Sequence, residues 1–432
     1  MNNFKRYVIL WLSQSMSQLG SSMTAFALVL WTYEQTHSAL SVSIMSFCNY
    51  LPYVLLSIAA GSFIDAHSKK AIMLVSDSAA AATSLVLLFL QQGQSLSTWH
   101  IYLINAVIGI TTAFQQPASQ IAAARLVPRE KLSNVSGMNS FSNNLVLVFS
   151  PMLASVLFAA GGLSLILLID LLSFAAAFCV LLFFIHIPEQ VPAETAGSPL
   201  AGFKTGLHFV LEKRGLLYIM LTLALLNFFS RLTYENILSP MILARGNGDS
   251  MVLGTVNAFM GIGGIAGGLF VTFKKASKKN ADMIYRAAAL SFLCGDLLMA
   301  VGNNVYWWSL AAFAASFPIP FIMAGQNMIL YRTVPENIQG RVFAVRNALQ
   351  YSTIPIGILS GGLLADYVFE PFIASGTAPA VFLGKIVGNG AGSGMAAMFL
   401  CTGACGFLMS IAALFNREIR KLNFSTAAEE QS

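Results

Sequence analysis

Residues 71–91 read AIMLVSDSAAAATSLVLLFLQ, an apolar and small-residue stretch interrupted by one charge, Asp77. A helix rises ~1.5 Å per residue, so about 20 residues cover the ~30 Å hydrocarbon of a bilayer. The stretch therefore reads as a membrane span. Lys69 and Lys70 precede it, and a short run from Gln91 to Ser97 follows it. The same reading, carried outward, gives spans at about 8–31, 40–64, 98–124, 134–158, 163–186, 215–243, 250–273, 283–302, 305–331, 341–366 and 393–415. Only 10% of residues are charged and 56% are hydrophobic, and the mean hydropathy of +0.70 excludes an ordinary soluble domain.

The basic residues give the topology. When the spans are threaded alternately, all but three of the 24 Lys and Arg residues fall on the side of the N-terminus. Arg245 and Lys385 fall opposite, and Arg231 falls inside a span. The positive-inside rule makes the basic side the cytoplasm. The expected class is an all-α membrane protein with twelve transmembrane helices and both termini inside. The net charge of +6 then belongs to a cytoplasmic face beside anionic lipid, not to a nucleic-acid footprint. The first apolar stretch is too long, and too polar at its middle, for a cleavable signal peptide. Cys48, Cys179, Cys294, Cys401 and Cys405 all lie in spans and read as small core hydrophobes.

The chain is expected to divide into an N-terminal six-helix bundle at 1–187, a cytoplasmic linker at 188–214, a C-terminal six-helix bundle at 215–423 and a disordered tail at 424–432. In the linker, residues 188–199 carry Pro, Gly and acid and read as flexible. Residues 200–214 space Phe203, Leu207, Val210 and Leu211 at helical intervals, which predicts an amphipathic helix on the inner leaflet. The external connections are short except 367–392, whose Gly, Ala and Pro predict a loop along the outer surface.

The halves resemble each other. Val127-Pro128-Arg129-Glu130 precedes the fifth span and Val334-Pro335-Glu336 precedes the eleventh, each followed about twenty residues later by a proline, Pro151 and Pro355. A six-helix unit repeated in parallel is the architecture of a rocking transporter. Residues 61–70, from Gly61 to Lys70, follow the second span, and Gly61, Asp65 and Lys69 match the pattern G-x-x-x-D-R-x-G-R-[RK]. Lys70 keeps the final basic residue, while Ala66 and Ser68 depart from it. With Phe114-x-x-Pro117-Ala118, Ser150-Pro151, Ile169-Asp170-x-x-Ser173-Phe174 and Gly340-Arg341-Val342-Phe343, this set resembles the major facilitator superfamily over essentially the whole chain. Within it, the set is similar to the branch of drug:proton antiporters that holds macrolide-efflux and siderophore-exporter proteins. The resemblance implies gating by Gly61, Asp65, Lys69, Lys70 and Arg341, the aspartate capping the start of the eleventh helix in the outward-facing state. It also implies that Ser150 and Pro151 supply the antiporter motif of the fifth helix, normally Gly-Pro, and that the first, fourth, seventh and tenth helices line a central cavity.

Polar residues inside lipid need partners or water. Gln14 and Gln18 in the first span, Asn105, Gln115 and Gln116 in the fourth, and Gln326 and Asn327 in the tenth are candidates for the wall of a substrate cavity. Interhelical hydrogen bonding is the competing reading for each. Tyr234 joins them as an aromatic contact for an amphipathic molecule. Arg231 and Glu235 stand four apart, so they are expected to pair, with Glu235 as the candidate proton-coupling residue and Arg231 tuning it; a static ion pair is the alternative. Asp77, about one turn into its span near the cytoplasm, is expected to meet inner-rim basic residues and to serve gating. Asp170 and Asp296 are expected to bond neighbouring hydroxyls or backbone. The tryptophans Trp11, Trp31, Trp99, Trp307 and Trp308 read as interface belts.

No metal cluster, nucleophile elbow or Walker sequence is present, so no metal, cofactor or ATP drive is expected and an enzyme is disfavoured. The expected function is proton-coupled export of an amphipathic drug such as a macrolide from a bacterial-type inner membrane, by a monomer working through alternating access. Export of a siderophore or other metabolite is the alternative, uptake symport comes third, and a transporter-fold sensor is the alternative of another class.

Overall fold

The computed structural model describes residues 3–127, 132–187, 199–273, 279–335 and 338–423. The expectations placed on Arg129, Lys131, residues 188–198, Lys274, Lys275, Lys278, Glu336 and 424–432 lie outside the described residues, as do the side chains of Gly61, Asp65 and Gly340. The regular structure among the described residues is entirely helical. Nine helical stretches there are long and apolar enough to cross a membrane. One of them, 141–184, has 44 residues and covers two of the expected spans. The helices over 3–36 and 98–126 fall outside the nine despite their 34 and 29 residues, because they carry the polar stripes.

The chain forms two compact units, Met1–Glu194 with Gly248–Ala258, and Thr195–Asn247 with Phe259–Ser432. The first holds α1 (Asn3–Thr36), α2 (Ala39–Ala66), α3 (Lys69–Gln92), α4 (Thr98–Leu126) and α5 (Leu132–Cys179). Ser38 and Ser68 cap α2 and α3, their side-chain oxygens accepting from the amides of Ser41 at 3.1 Å and Ala71 at 3.3 Å. The long α5 folds back at Gly162, whose φ of 63° is open to glycine at little cost. That kink makes the fifth and sixth spans. Two apolar clusters hold the unit. One joins Tyr7, Ile64, Met73, Ala122 and Leu181, and the other Leu28, Leu87, Ile101, Leu163 and Ile166.

The second unit begins with α6 (Pro199–Glu212), and the structure corrects its setting. Its apolar face is not left for lipid. Val210 is fully buried among Leu216, Met220, Leu330, Val334, Val342 and Val345, with Phe203 and Leu207 beside it, while Leu211 faces outward. Gly206 brings the helix against the backbone of Arg341, where a side chain would collide.

Next come α7 (Arg214–Thr233) and α8 (Leu238–Arg245), expected as one span. Pro240 has no N–H for the carbonyl of Asn236 and its ring crowds that carbonyl, so the helix loosens over 234–237. After α9 (Ser250–Phe273), the ninth span is α10 (Asn280–Leu290), a π-type turn over Ser291–Asp296 and α11 (Leu297–Val301). The tenth is α12 (Val305–Ser316) and α13 (Ile319–Thr333), divided at Pro318 for the reason that divides α7 from α8. The eleventh is α14 (Gln339–Leu364), which approaches α7 closely where Gly357 and Gly361 meet Arg231 and Leu232.

The expected outer loop at 367–392 is largely helical: α15 (Glu370–Ala374) and α16 (Ala378–Val387), with Pro371 and Pro379 in their first turns. Glu370 accepts from the backbone amide of Met395 at 3.0 Å, placing a carboxylate at the N-terminus of α17 (Ser393–Phe415), and the chain ends in α18 (Arg417–Lys421). Two further expectations are corrected. None of the five cysteines is in the core: Cys179, Cys401 and Cys405 are exposed and the other two intermediate. Trp308 is buried rather than in a belt, donating to the carbonyl of Gly302 at 3.0 Å, whereas its neighbour Trp307 is exposed.

Candidate functional site

In the first unit, residues on three helices enclose a recess of about 100 Å³. From α1 come Tyr7, Leu10, Trp11, Gln14, Ser15 and Gln18; from α4, Ser119 and Ala123; from α5, Asn139, Ser142 and Asn143. The polar groups across it are paired. The Tyr7 hydroxyl donates to Asn139 at 3.1 Å, the hydroxyls of Ser15 and Ser142 share a hydrogen bond, and Gln18 donates to Asn143 at 3.1 Å. The Trp11 indole N–H, buried in the wall, has no hydrogen-bond partner among the described residues. Tyr7, Trp11, Gln14 and Gln18 recur at four- and three-residue steps and so share one face of α1. That stripe was legible, but the sequence reading began it at Gln14 and gave Trp11 to a belt.

Beneath the recess wall lies Asp77, 2% exposed on α3. Its Oδ2 accepts from the amide of Gln14 at 3.4 Å and its Oδ1 from the amide of Gln115. Three residues expected for two different roles thus meet in one cluster. The partners of Asp77 are carboxamides, not the basic residues expected. Those basic residues are held elsewhere. Lys69 bonds the carbonyl of His67 at 3.0 Å, and Lys70 bonds those of Leu182 at 2.9 Å and Ile185 at 2.7 Å, tying the start of α3 to the π-type turn Val180–Phe184 that follows α5.

The other candidates of this unit stand apart from the cluster. Asn105 is buried and bonds the carbonyl of Ile101 at 2.9 Å within its own helix. Gln116 accepts from the Tyr53 hydroxyl at 3.1 Å on an exposed face. Asp170 is buried and accepts from Ser21 at 3.3 Å, Thr24 at 3.0 Å and Ser84 at 2.9 Å, a hydroxyl cage of the expected kind. Ser150 is buried, and the carbonyl of Pro151 accepts from Ser155 at 2.7 Å, with Gly254 lying against both Pro151 and Ser155.

In the second unit, Arg231 and Glu235 form the expected ion pair, with side chains 31% and 22% exposed. The Arg231 Nε also donates to Asn227 at 3.3 Å. Tyr234 does not stand with the other substrate candidates. Its ring meets Phe399 edge-on at 5.2 Å, and its buried hydroxyl has no hydrogen-bond partner among the described residues. Asp296, 1% exposed in the π-type turn, accepts from Thr402 at 2.9 Å. Gln326 accepts from Gln350 at 3.3 Å, and Asn327 accepts from Arg346 at 2.8 Å. Arg346, which the sequence reading counted only as a cytoplasmic charge, also donates to Asn347 at 3.0 Å and lies 4.8 Å from the Phe343 ring. Arg341 is exposed at the start of α14.

Residues 10–358 match the Major Facilitator Superfamily. The chain belongs to that family. As a Major Facilitator Superfamily protein it is a multi-pass membrane transporter rather than an enzyme. It is 26% identical to macrolide efflux protein A of Streptococcus pyogenes over 386 residues, covering 87% of this chain and 94% of that protein. It is 24% identical to the multidrug efflux pump Tap of Mycolicibacterium fortuitum (80% of this chain, 86% of that one) and 23% identical to the staphyloferrin A transporter of Staphylococcus aureus (84% and 88%). The fold is that of a bacterial homologue of the iron transporter ferroportin, with a TM-score of 0.69 at 14% identity, covering 96% of this chain and all of that one. A bacterial homologue of the lysosomal transporter Spinster matches with a TM-score of 0.67 at 15% identity, covering 98% and 99%.

Proposed function

We propose that this protein is a secondary active exporter that exchanges protons for an amphipathic organic molecule such as a macrolide. It would work as a monomer in a bacterial-type inner membrane with both termini cytoplasmic. The observation that carries the reading is the recess of the first unit, where amide and hydroxyl groups stand beside the faces of Tyr7 and Trp11. Such a wall suits a molecule with both apolar surface and scattered polar groups. The efflux relatives support the same substrate class, and the staphyloferrin A transporter keeps a siderophore as the second reading. Gln14 and Gln18 are the substrate contacts we favour. In this reading Glu235 and Arg231, whose charges cancel within one helix turn, are a structural pair.

The test uses everted membrane vesicles with an imposed proton gradient, offered a macrolide, fluorescent amphipathic cations and an iron chelator. Gradient-dependent accumulation of the macrolide or the cations is the expected result. Accumulation of the chelator alone would make the protein a siderophore exporter. Binding without flux of any compound would make it a sensor and end the transport reading.

A further inference from the structure

Three aspartates are buried among the described residues, Asp77, Asp170 and Asp296, and each is bonded by neutral groups. Of the three, only Asp77 has a partner that also lines the recess: Gln14 donates to the carboxylate and forms part of the recess wall. The groups facing Asp77 from the packed helices are Gln14 of α1 and Gln115 of α4. Of the titratable groups on the packed elements, Tyr7 bonds Asn139, Asp170 of α5 its three hydroxyls, and Lys69 and Lys70 backbone carbonyls, while Arg125 lies at the far end of α4 and Lys5 and Arg6 at the start of α1. Asp77 makes no ion pair among the described residues.

We propose that Asp77 is the proton-carrying residue of the transport cycle and that Gln14 passes its charge state to the substrate recess. The inference rests on the proton-antiport reading above. A carboxamide carries a donor and an acceptor on one planar group, so it can bond a carboxylate through its NH2 or a carboxylic acid through its carbonyl. A Lys or Arg has no acceptor, so it cannot take the O–H of the neutral form. The amide pair around Asp77 is therefore a cage that fits both states of the group. When a proton from the recess binds Oδ2, the new O–H becomes a donor, and the Gln14 carboxamide turns over to accept it. The weaker of the two bonds, at 3.4 Å, is the one that changes. Ionised Asp77 leaves the Gln14 carbonyl for the recess, and neutral Asp77 leaves its NH2. The recess thus alternates between accepting and donating as the proton comes and goes, and no other bond is made or broken.

The experiment compares wild type with Asp77→Asn and Asp77→Glu in everted vesicles, together with substrate binding to detergent-purified protein across pH. One proton exchanged across 100 mV supports about a fifty-fold concentration ratio, and Asp77→Asn should lose it, while Asp77→Glu keeps part of it. Substrate binding should depend on pH in wild type and lose that dependence in Asp77→Asn, which a merely structural role would not produce. If Asp77→Asn does not reach the membrane folded, the infrared carboxyl band of Gln115→Leu decides. It should shift from the wild-type band if Asp77 titrates between the two amides, and an unmoved band would overturn the proposal. Gradient-driven accumulation retained by Asp77→Asn would overturn it too. Absence of gradient-driven transport in wild type itself would instead defeat the antiport reading.

Discussion

Two charged sites in this protein solve the same problem in opposite ways. Arg231 and Glu235 stand one helix turn apart and neutralise each other, with Asn227 bonding the guanidinium. Asp77 has no counter-ion among the described residues; Gln14 and Gln115 hold it with dipoles. An ion pair is satisfied in one charge state and resists leaving it. A carboxylate between carboxamides is satisfied in two. Residue type does not separate these sites, since both put a carboxylate in an expected span. The partner's chemistry does. A positive partner makes a fixture, and an amphoteric one makes a site that can change state.

The contrast breaks most visibly if Arg231 is removed. Arg231→Met removes the ion pair with Glu235 and should cost about 2 kcal/mol, below the ~3–5 kcal/mol of fully buried pairs because the side chains are 31% and 22% exposed. Adding Glu235→Met should recover most of the loss, since replacing both members of an ion pair by apolar groups of similar volume is often neutral. Thermal unfolding of the detergent-purified variants measures both. A double variant no more stable than the single one would show that the pair does more than neutralise itself.

The amide cage should be weaker, and its two halves should differ in kind. Gln115→Leu removes one donor from a buried charge and should cost about 1.5 kcal/mol of stability. Gln14→Leu should cost less, because its bond is longer at 3.4 Å, but should reduce transport more, because Gln14 also lines the recess. Unfolding midpoints set beside vesicle accumulation separate the two effects. Equal transport losses at equal stability would mean that the recess does not communicate with Asp77 through Gln14.

Each member of this cluster stood out in the sequence, while the cluster itself did not. Asp77 is the lone charge of 71–91, and Gln14 and Gln115 belong to evident polar stripes. They lie 63 and 38 residues from Asp77. Helical spacing says which residues share a face, but it does not say which faces meet, and so basic residues looked like the natural partners. The same gap explains α6. Its apolar face was clear, but lipid and protein interior are alike to a leucine, so nothing local said that Val210 would pack on α7, α13 and α14. Trp307 and Trp308 are adjacent and chemically identical, yet only the second turns inward. Pro240 and Pro318 announce the breaks in the seventh and tenth spans, and the Gly357 and Gly361 pair announces a close helix contact. The membrane class and the family were the most legible, because they are written in composition and in motifs that need no partner.

The smallest effect is expected at Asp296, which sharpens the comparison by holding burial constant. It is as deeply buried as Asp77 and is also held by a neutral group, Thr402, but this is a hydroxyl in the interior of the second unit. Removing one hydroxyl by Thr402→Val keeps the shape of the side chain and deletes one bond at 2.9 Å. Hydrogen bonds between membrane helices are worth about 0.6 kcal/mol on average and at most ~1.7, since alternative partners are found when one is lost. The stability change should lie in that range, and the proton-driven accumulation ratio should stay at the wild-type value. A fall in that ratio comparable with the loss in Asp77→Asn would mean that burial with neutral partners, and not access to the recess through an amide, is what makes a carboxylate carry the proton.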